Sequence, residues 1–237
     1  MEKVQSCELD DSIVVYQYIK LEYLIKNLAS HQIVFNRISK WEDVYENYAF
    51  KELFQLKDGT PIHADDKMRN RLYGQCLTAA GESDAMWRIY SHLKTSVNDS
   101  AVRVSTTIGK IRTALKDQNY DIRPIIYLPQ VEIEKFTPLR VQDLESFFRN
   151  SSFYKRIEFI HEQEIRVVIE NESHTDDLLP IHDISLGFYD EYVLDPRLTG
   201  EQEATIKEML ELEEVSPDKI RKSELYKFNV KTIKISD

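Results

Sequence analysis

Phe153–Glu170 reads FYKRIEFIHEQEIRVVIE, and its second half decides the fold. Ile165, Val167 and Ile169 alternate with Arg166, Val168 and Glu170, the period-two pattern of a strand with one buried face. The same period puts Glu164 and Arg166 together on the other face. Residues two apart on a strand stand about 7 Å apart. A carboxylate and a guanidinium at that spacing can grip one ligand from the same wall, with Glu162 at the strand's mouth. A small polyanionic or sugar-containing ligand suits the pair. The plainer reading of the same residues is an exposed ion pair on a solvated sheet face, which is a common arrangement.

Working outward from this strand, the chain alternates short strands and helices. Ile13–Tyr18 reads as a strand, followed by KLEYLIKNLA, where Leu21, Leu24, Ile25 and Leu28 fall on one helical stripe. IVFNRI (33–38) is a second strand that ends near Arg37. Trp41, Asp43, Tyr45 and Glu46 crowd the next segment, with the two aromatics read as core or rim residues on a short helix. Residues 56–66, with Gly59 and Pro61 as punctuation, are expected to form a loop insertion. Tyr73–Thr78 reads as a short buried strand, then Ser83 as a helix N-cap ahead of Met86, Trp87 and Tyr90.

AVRVSTT (101–107) alternates again, with Val102, Val104 and Thr106 on one face and Arg103 and Ser105 on the other. A helix at 108–115, a strand at Pro124–Leu128 and a helix marked by Val141, Leu144, Phe147 and Phe148 lead back to the central segment. Beyond it, Asn171–Pro180 reads as a loop and Tyr192–Leu194 as a late strand. Thr199 and Gln202 have capping-box spacing before a helix with Ile206, Met209 and Leu210. Val230, Ile233 and Ile235 mark a closing strand. Interspersed elements without regular βαβ spacing predict an α+β fold: a single domain over 1–237 with a mainly antiparallel mixed sheet and packed helices.

Composition narrows the function classes. The 237 residues are 42% hydrophobic and 30% charged, enough for one substantial core. No run approaches the roughly 18 apolar residues of a membrane span, and no leader pattern opens the chain. A cytoplasmic protein without membrane contact is therefore expected. Cys7 and Cys76 lie far apart and offer neither a disulfide framework nor a cysteine zinc site. Six histidines in no metal-binding spacing leave no metal expected. The net charge of −10 argues against broad charge-driven nucleic-acid binding, although six basic residues against one acid over 219–234 offer a local basic strip. Glycine-rich phosphate loops and a G-x-S-x-G elbow are both absent from the sequence.

Four segments together resemble the bacterial and phage family known as domain of unknown function 2971. They are VVYQYIKLEYLIKNLASHQIVFNRISKWEDVYE, CLTAAGESDAMWRIYS, AVRVSTTIGKIRTAL and YKRIEFIHEQEIRVVI. Departures are Leu77 where an aromatic is usual, an acidic patch without Asp-Pro, and no glycine in 91–101. The same order of parts is similar to the ADP-ribosyltransferase superfamily.

That resemblance implies an ADP-ribosyltransferase-like sheet and NAD as substrate. It assigns Glu164, or in its place Glu162, as the catalytic carboxylate, Tyr16 or Tyr18 to the nicotinamide side, and Ser105 and Thr106 to a middle motif. The chemistry also asks for a second carboxylate to align or deprotonate the acceptor, a job offered to Glu162, and for arginines on the cofactor, for which Arg37, Arg103 and Arg166 are candidates. The implied role is an intracellular toxin or phage-defence effector that modifies RNA, DNA or protein, with an antitoxin as neutralising partner. Two other classes compete. One is a non-catalytic binding or regulatory module of a defence or toxin–antitoxin system. The other is a metal-dependent nuclease, because Glu164-Ile165-Arg166 resembles the E-x-K strand of such enzymes.

Overall fold

The computed structural model describes residues 9–46, 48–51, 53–55, 58–63, 70–93, 96–135 and 144–229. Its frame is a nine-stranded sheet. In chain order the strands are β1 (Val14–Lys20), β2 (Ile33–Arg37), β5 (Leu72–Thr78), β6 (Ala101–Thr107), β7 (Asn119–Pro124), β10 (Glu164–Glu170), β11 (Leu178–Ile181), β12 (Glu191–Leu194) and β13 (Ile220–Lys222). Two small pairs stand apart from it: β3 (Leu53–Gln55) with β4 (Pro61–His63), and β8 (Ile126–Leu128) with β9 (Tyr154–Arg156). Within the large sheet every pairing is antiparallel except β12 with β13. The fold is mixed α+β with a mainly antiparallel sheet, as the interspersed sequence pattern predicts.

The sheet forks at β5. One edge of β5 pairs with β10 over all seven residues, Glu164↔Thr78 through Glu170↔Leu72. Its other edge is shared: β2 pairs at Tyr73 and Gly74, and β1 pairs only at Thr78, opposite Tyr16. Helix α1 (Leu21–Ala29) joins β1 to β2 and buries Leu21 and Leu24. Those two strands run parallel to each other, each antiparallel to β5, and they splay apart around the helix. The second half of the sheet continues from β1 through β6 and β12 to β13.

The two faces have different cores. On one, the inward residues of β1, β2, β5, β6 and β10 (Val15, Phe35, Tyr73, Val104, Val167) pack against three helices. These are α1, α3 (Ile108–Ala114) and α6 (Gly200–Leu212), which contribute Leu24, Ile111, Ile206 and Leu210. On the opposite face two separate apolar clusters form. One joins Ile38, Leu72, Phe148, Phe153 and Val168, with Trp41 against it. The other joins Tyr18, Met86, Trp87, Ala101 and Val193, where Met86 and Trp87 come from α2 (Asp84–Tyr90). Polar side chains occupy the ground between these clusters, and the candidate site lies there.

Local details refine the sequence reading. Thr199 and Gln202 close a complete capping box on α6. Ser83 does occupy the N-cap of α2, but its side chain makes no cap bond. The segment read as a loop over 56–66 contains β4, a hairpin partner of β3, with Gly59 in the left-handed region at φ 88°. The strand read at Pro124–Leu128 is two elements, since β7 ends at Pro124 and β8 begins at Ile126. β7 itself has no clean alternation of burial, and its half-exposed Asp121 pairs with both Arg123 and Arg149. The loop read at Asn171–Pro180 gives way to β11 at Leu178. Cys7 and the closing strand around Val230, Ile233 and Ile235 lie outside the described residues.

Candidate functional site

Strand register sets the geometry of the site. Glu164 lies opposite Thr78, Thr78 opposite Tyr16, Tyr16 opposite Ser105, and Ser105 opposite Glu191. Directly opposed residues share a face, so these five form one row across β10, β5, β1, β6 and β12. With strands about 4.8 Å apart, Glu164 and Ser105 are separated by about 14 Å. Arg166 and Cys76 form the next rung on one side of the fork, and Tyr18 and Arg103 form it on the other.

Glu164 is buried at 3% exposure and Arg166 at 0%. The pair is therefore interior, not solvated, because the Trp41–Phe153 layer covers that end of the face. Arg166 grips Glu164 with two bonds, Nε to Oε1 at 2.6 Å and Nη2 to Oε2 at 2.9 Å. It also donates to the Ser152 carbonyl at 2.6 Å and to Glu46 at 3.3 Å, with its guanidinium 4.5 Å from the Trp41 ring. Lys155 of β9 brings a second cation. Its ammonium lies 2.6 Å from Glu162, 2.8 Å from Glu46 and 3.1 Å from Glu164. Three carboxylates thus converge on one point, and Lys155 occupies it.

This arrangement governs the protonation states. Burial pushes the Glu164 carboxyl up, but the Arg166 charge and hydrogen bonds, with Lys155, more than reverse that and hold it below its ordinary value. Glu164 is an anion at neutral pH. Burial works against the Lys155 ammonium, yet Glu164, Glu46 and Glu162 together raise its pKa well above the usual lysine value. The thiol of the half-buried Cys76 is pushed up first by burial and then by Glu164, so it stays protonated. Burial, and after it the negative charge of Glu162, raises the Tyr90 phenol. The Glu164 backbone N–H donates to the Tyr127 hydroxyl at 2.8 Å. Thr78 ties the row to the mouth by donating to the Glu162 carbonyl at 2.6 Å.

The other sequence candidates divide by face. Tyr16 and Ser105 stand in the row, and Arg103 lies 4.4 Å over the Tyr16 ring. Arg103 reaches Glu191 through Nη2 at 3.4 Å, while its buried Nε has no hydrogen-bond partner. Tyr18 shares the face but is packed, edge-on to Trp87 at 4.8 Å and stacked on Tyr90 at 6.0 Å. Its hydroxyl accepts from Ser83 N–H at 3.2 Å. Thr106 points to the opposite face and donates to the Phe188 carbonyl at 2.7 Å.

Arg37 is also on the opposite face, in register with Tyr73. Its guanidinium binds Asp177 at 2.9 Å, the Thr175 and Asp176 carbonyls at 2.7 Å each, and the Asn70 carbonyl. Arg37, read from the sequence as a candidate to hold the cofactor, fastens the segment before β11 and stands on the face away from Glu164. Sequence reasoning gave no role to Lys155, and none at the site to Glu46 or Tyr90. For Lys155 the available signal was a basic pair, Lys155-Arg156, standing directly before the Glu-x-Glu strand.

No protein-family model matches the chain, so the resemblance to domain of unknown function 2971 finds no matching family. No curated protein matches it either. Solved structures similar to it include DarT of Thermus sp. 2.9 in complex with NAD+, at TM-score 0.40 and 10% identity over 86% of this chain and 91% of that one. The same protein in complex with ADP-ribosylated single-stranded DNA aligns at TM-score 0.41 and 8% identity, over 86% and 90%.

Proposed function

We propose that the chain is an NAD-dependent ADP-ribosyltransferase that modifies a polymer acceptor, acting as an intracellular toxin or phage-defence effector. The observation that supports it best is the row from Glu164 through Thr78 and Tyr16 to Ser105, with Glu164 kept anionic at its buried end. Cleaving the nicotinamide glycosidic bond builds positive charge on the ribose. A fixed carboxylate in a water-poor site stabilises that charge more than it stabilises bound NAD. In this reading Glu164 faces the ribose, with Arg166 and Tyr127 orienting it. Tyr16 supplies an aromatic wall, and Arg103 supplies an unpartnered donor beside that wall for a pyrophosphate oxygen. Glu162, at the mouth, aligns or deprotonates the acceptor.

The test is transfer of label from adenosine-labelled NAD to single-stranded DNA, duplex DNA, RNA or a protein mixture, each offered separately. Label in one polymer supports the reading and names the acceptor class; no label in any of them, from folded protein, counts against transfer.

One observation favours a second reading. Both Glu164 oxygens already have donors, and Arg166 is wholly enclosed, as in an ion network that shapes a binding module without catalysis. A Glu162→Ala, Glu164→Ala double variant separates the two: a non-catalytic module keeps its biological effect, whereas a transferase loses it.

A further inference from the structure

We propose that Lys155 is the exchangeable counter-ion of Glu164: it closes the carboxylate in the absence of substrate and yields Oε2 to a ribose hydroxyl when NAD enters. The proposal rests on the NAD reading above and concerns how that site opens. Arg166 and Lys155 surround Glu164 with three donor contacts, two of them on Oε2, so a ribose hydroxyl that takes Oε2 displaces whichever donor is held less firmly. Arg166 is poorly suited to leave. Its fork holds both carboxylate oxygens, and it also serves the Ser152 carbonyl, Glu46 and the Trp41 face. Withdrawing it would strand several buried acceptors together, each left without a donor.

Lys155 differs in each respect. It is a point charge on a flexible stem with rotatable donors, and its contact to Glu164, at 3.1 Å, is the longest of its three. Glu162 at 2.6 Å and Glu46 at 2.8 Å remain as partners after Glu164 is released, so no unpaired buried charge is created. The Phe159 ring, 4.9 Å from Nζ, adds a further surface for the cation. Glu162 and Phe159 both stand on the 3-10 turn Ile157–Glu162, which ends at Gln163, a non-glycine residue in the left-handed region at φ 43°. Its Ile157 and Ile160 are exposed, and it is held to the sheet at its end by Thr78 on the Glu162 carbonyl. Lys155 is in these terms a positioning residue, which acts on the reaction through Glu164.

Calorimetric titration with NAD tests this on wild type, Lys155→Arg and the charge-balanced Lys155→Gln, Glu162→Gln double variant. The double variant replaces the competing ammonium with a neutral, weaker amide donor without changing the net charge, and its affinity for NAD is expected to rise about tenfold, or about 1.4 kcal/mol. Lys155→Arg places a planar fork that binds carboxylates bidentately, and its affinity is expected to fall about tenfold. A purely structural role would move the melting temperature of both variants without moving their affinities in opposite directions. Equal affinity in all three proteins overturns the exchange and leaves the NAD reading standing. Absence of NAD binding in every form, each melting cooperatively, overturns the NAD reading and the exchange with it. Should the double variant fail to fold, Lys155→Arg decides alone, and unchanged or tighter binding overturns the proposal.

Discussion

Replacing Arg166 with Met should turn the pH dependence of stability around. In the native protein two cations, Lys155 and Arg166, face three carboxylates, Glu46, Glu162 and Glu164. Arg166→Met leaves one cation for three anions, and it strips Glu164 of its bidentate partner and the Ser152 carbonyl of its donor. Breaking a buried pair from one side costs about 3–5 kcal/mol, within the typical total of about 5–15 kcal/mol, so the variant should still fold. With a urea slope of about 3 kcal/mol per molar, the midpoint should drop by about 1–2 M.

The sign of the pH effect is the sharper part. Glu164 has a lowered pKa in the native fold. Its contribution is therefore present above the unfolded value of about 4.3 and is lost as pH falls through the folded value. In the variant the burial penalty prevails, and the carboxyl titrates above its unfolded value. Stability should then fall as pH rises from about 5 to 7, by up to about 1.4 kcal/mol per unit, where wild type is flat. Urea melts of both proteins at several pH values measure this. A variant within about 1 kcal/mol of wild type, or one with the wild-type slope, would refute the account of the cluster.

Three further outcomes follow from the geometry. Gly74→Ala puts a Cβ 2.6 Å from Trp41 Cζ2 and 3.2 Å from Ile38 Cγ1. It should cost about 1–3 kcal/mol and, by lifting Trp41 off Arg166, shift the tryptophan emission. Arg37→Met should cost about 2 kcal/mol through the carbonyls it leaves without a donor, yet leave NAD affinity unchanged because Arg37 lies on the far face; calorimetry and melting together check both halves. Tyr16→Ala, which removes the wall under Arg103, should raise the KM for NAD about tenfold, a loss of about 1.4 kcal/mol, while the melting temperature changes little.

Much of this site was legible through the period of two. Parity on 164–170 placed Glu164 with Arg166, and parity on 101–107 separated Thr106 from Arg103 and Ser105. The family resemblance names Ser105 and Thr106 in one motif, and the register puts the two on opposite faces of β6. Parity would also have set Arg37 aside, because it alternates in step with Ile33 and Phe35, which are core residues. What covers a face is not written in the strand itself. Arg166 reads as a solvated charge until Trp41, Glu46 and Lys155 arrive from segments as many as 125 residues away. The fork was equally hidden, since it depends on where β1 and β2 each meet β5.

As a catalytic carboxylate, Glu164 should govern nicotinamide release from NAD, measured for wild type and Glu164→Gln in the presence of the polymer mixtures. Near-ultraviolet circular dichroism of both proteins confirms that each is folded. Wild type should release nicotinamide and the variant should lose about 100-fold or more, the scale expected when one transition-state electrostatic partner is removed. Equal release by the two proteins, or none by either, would contradict that role.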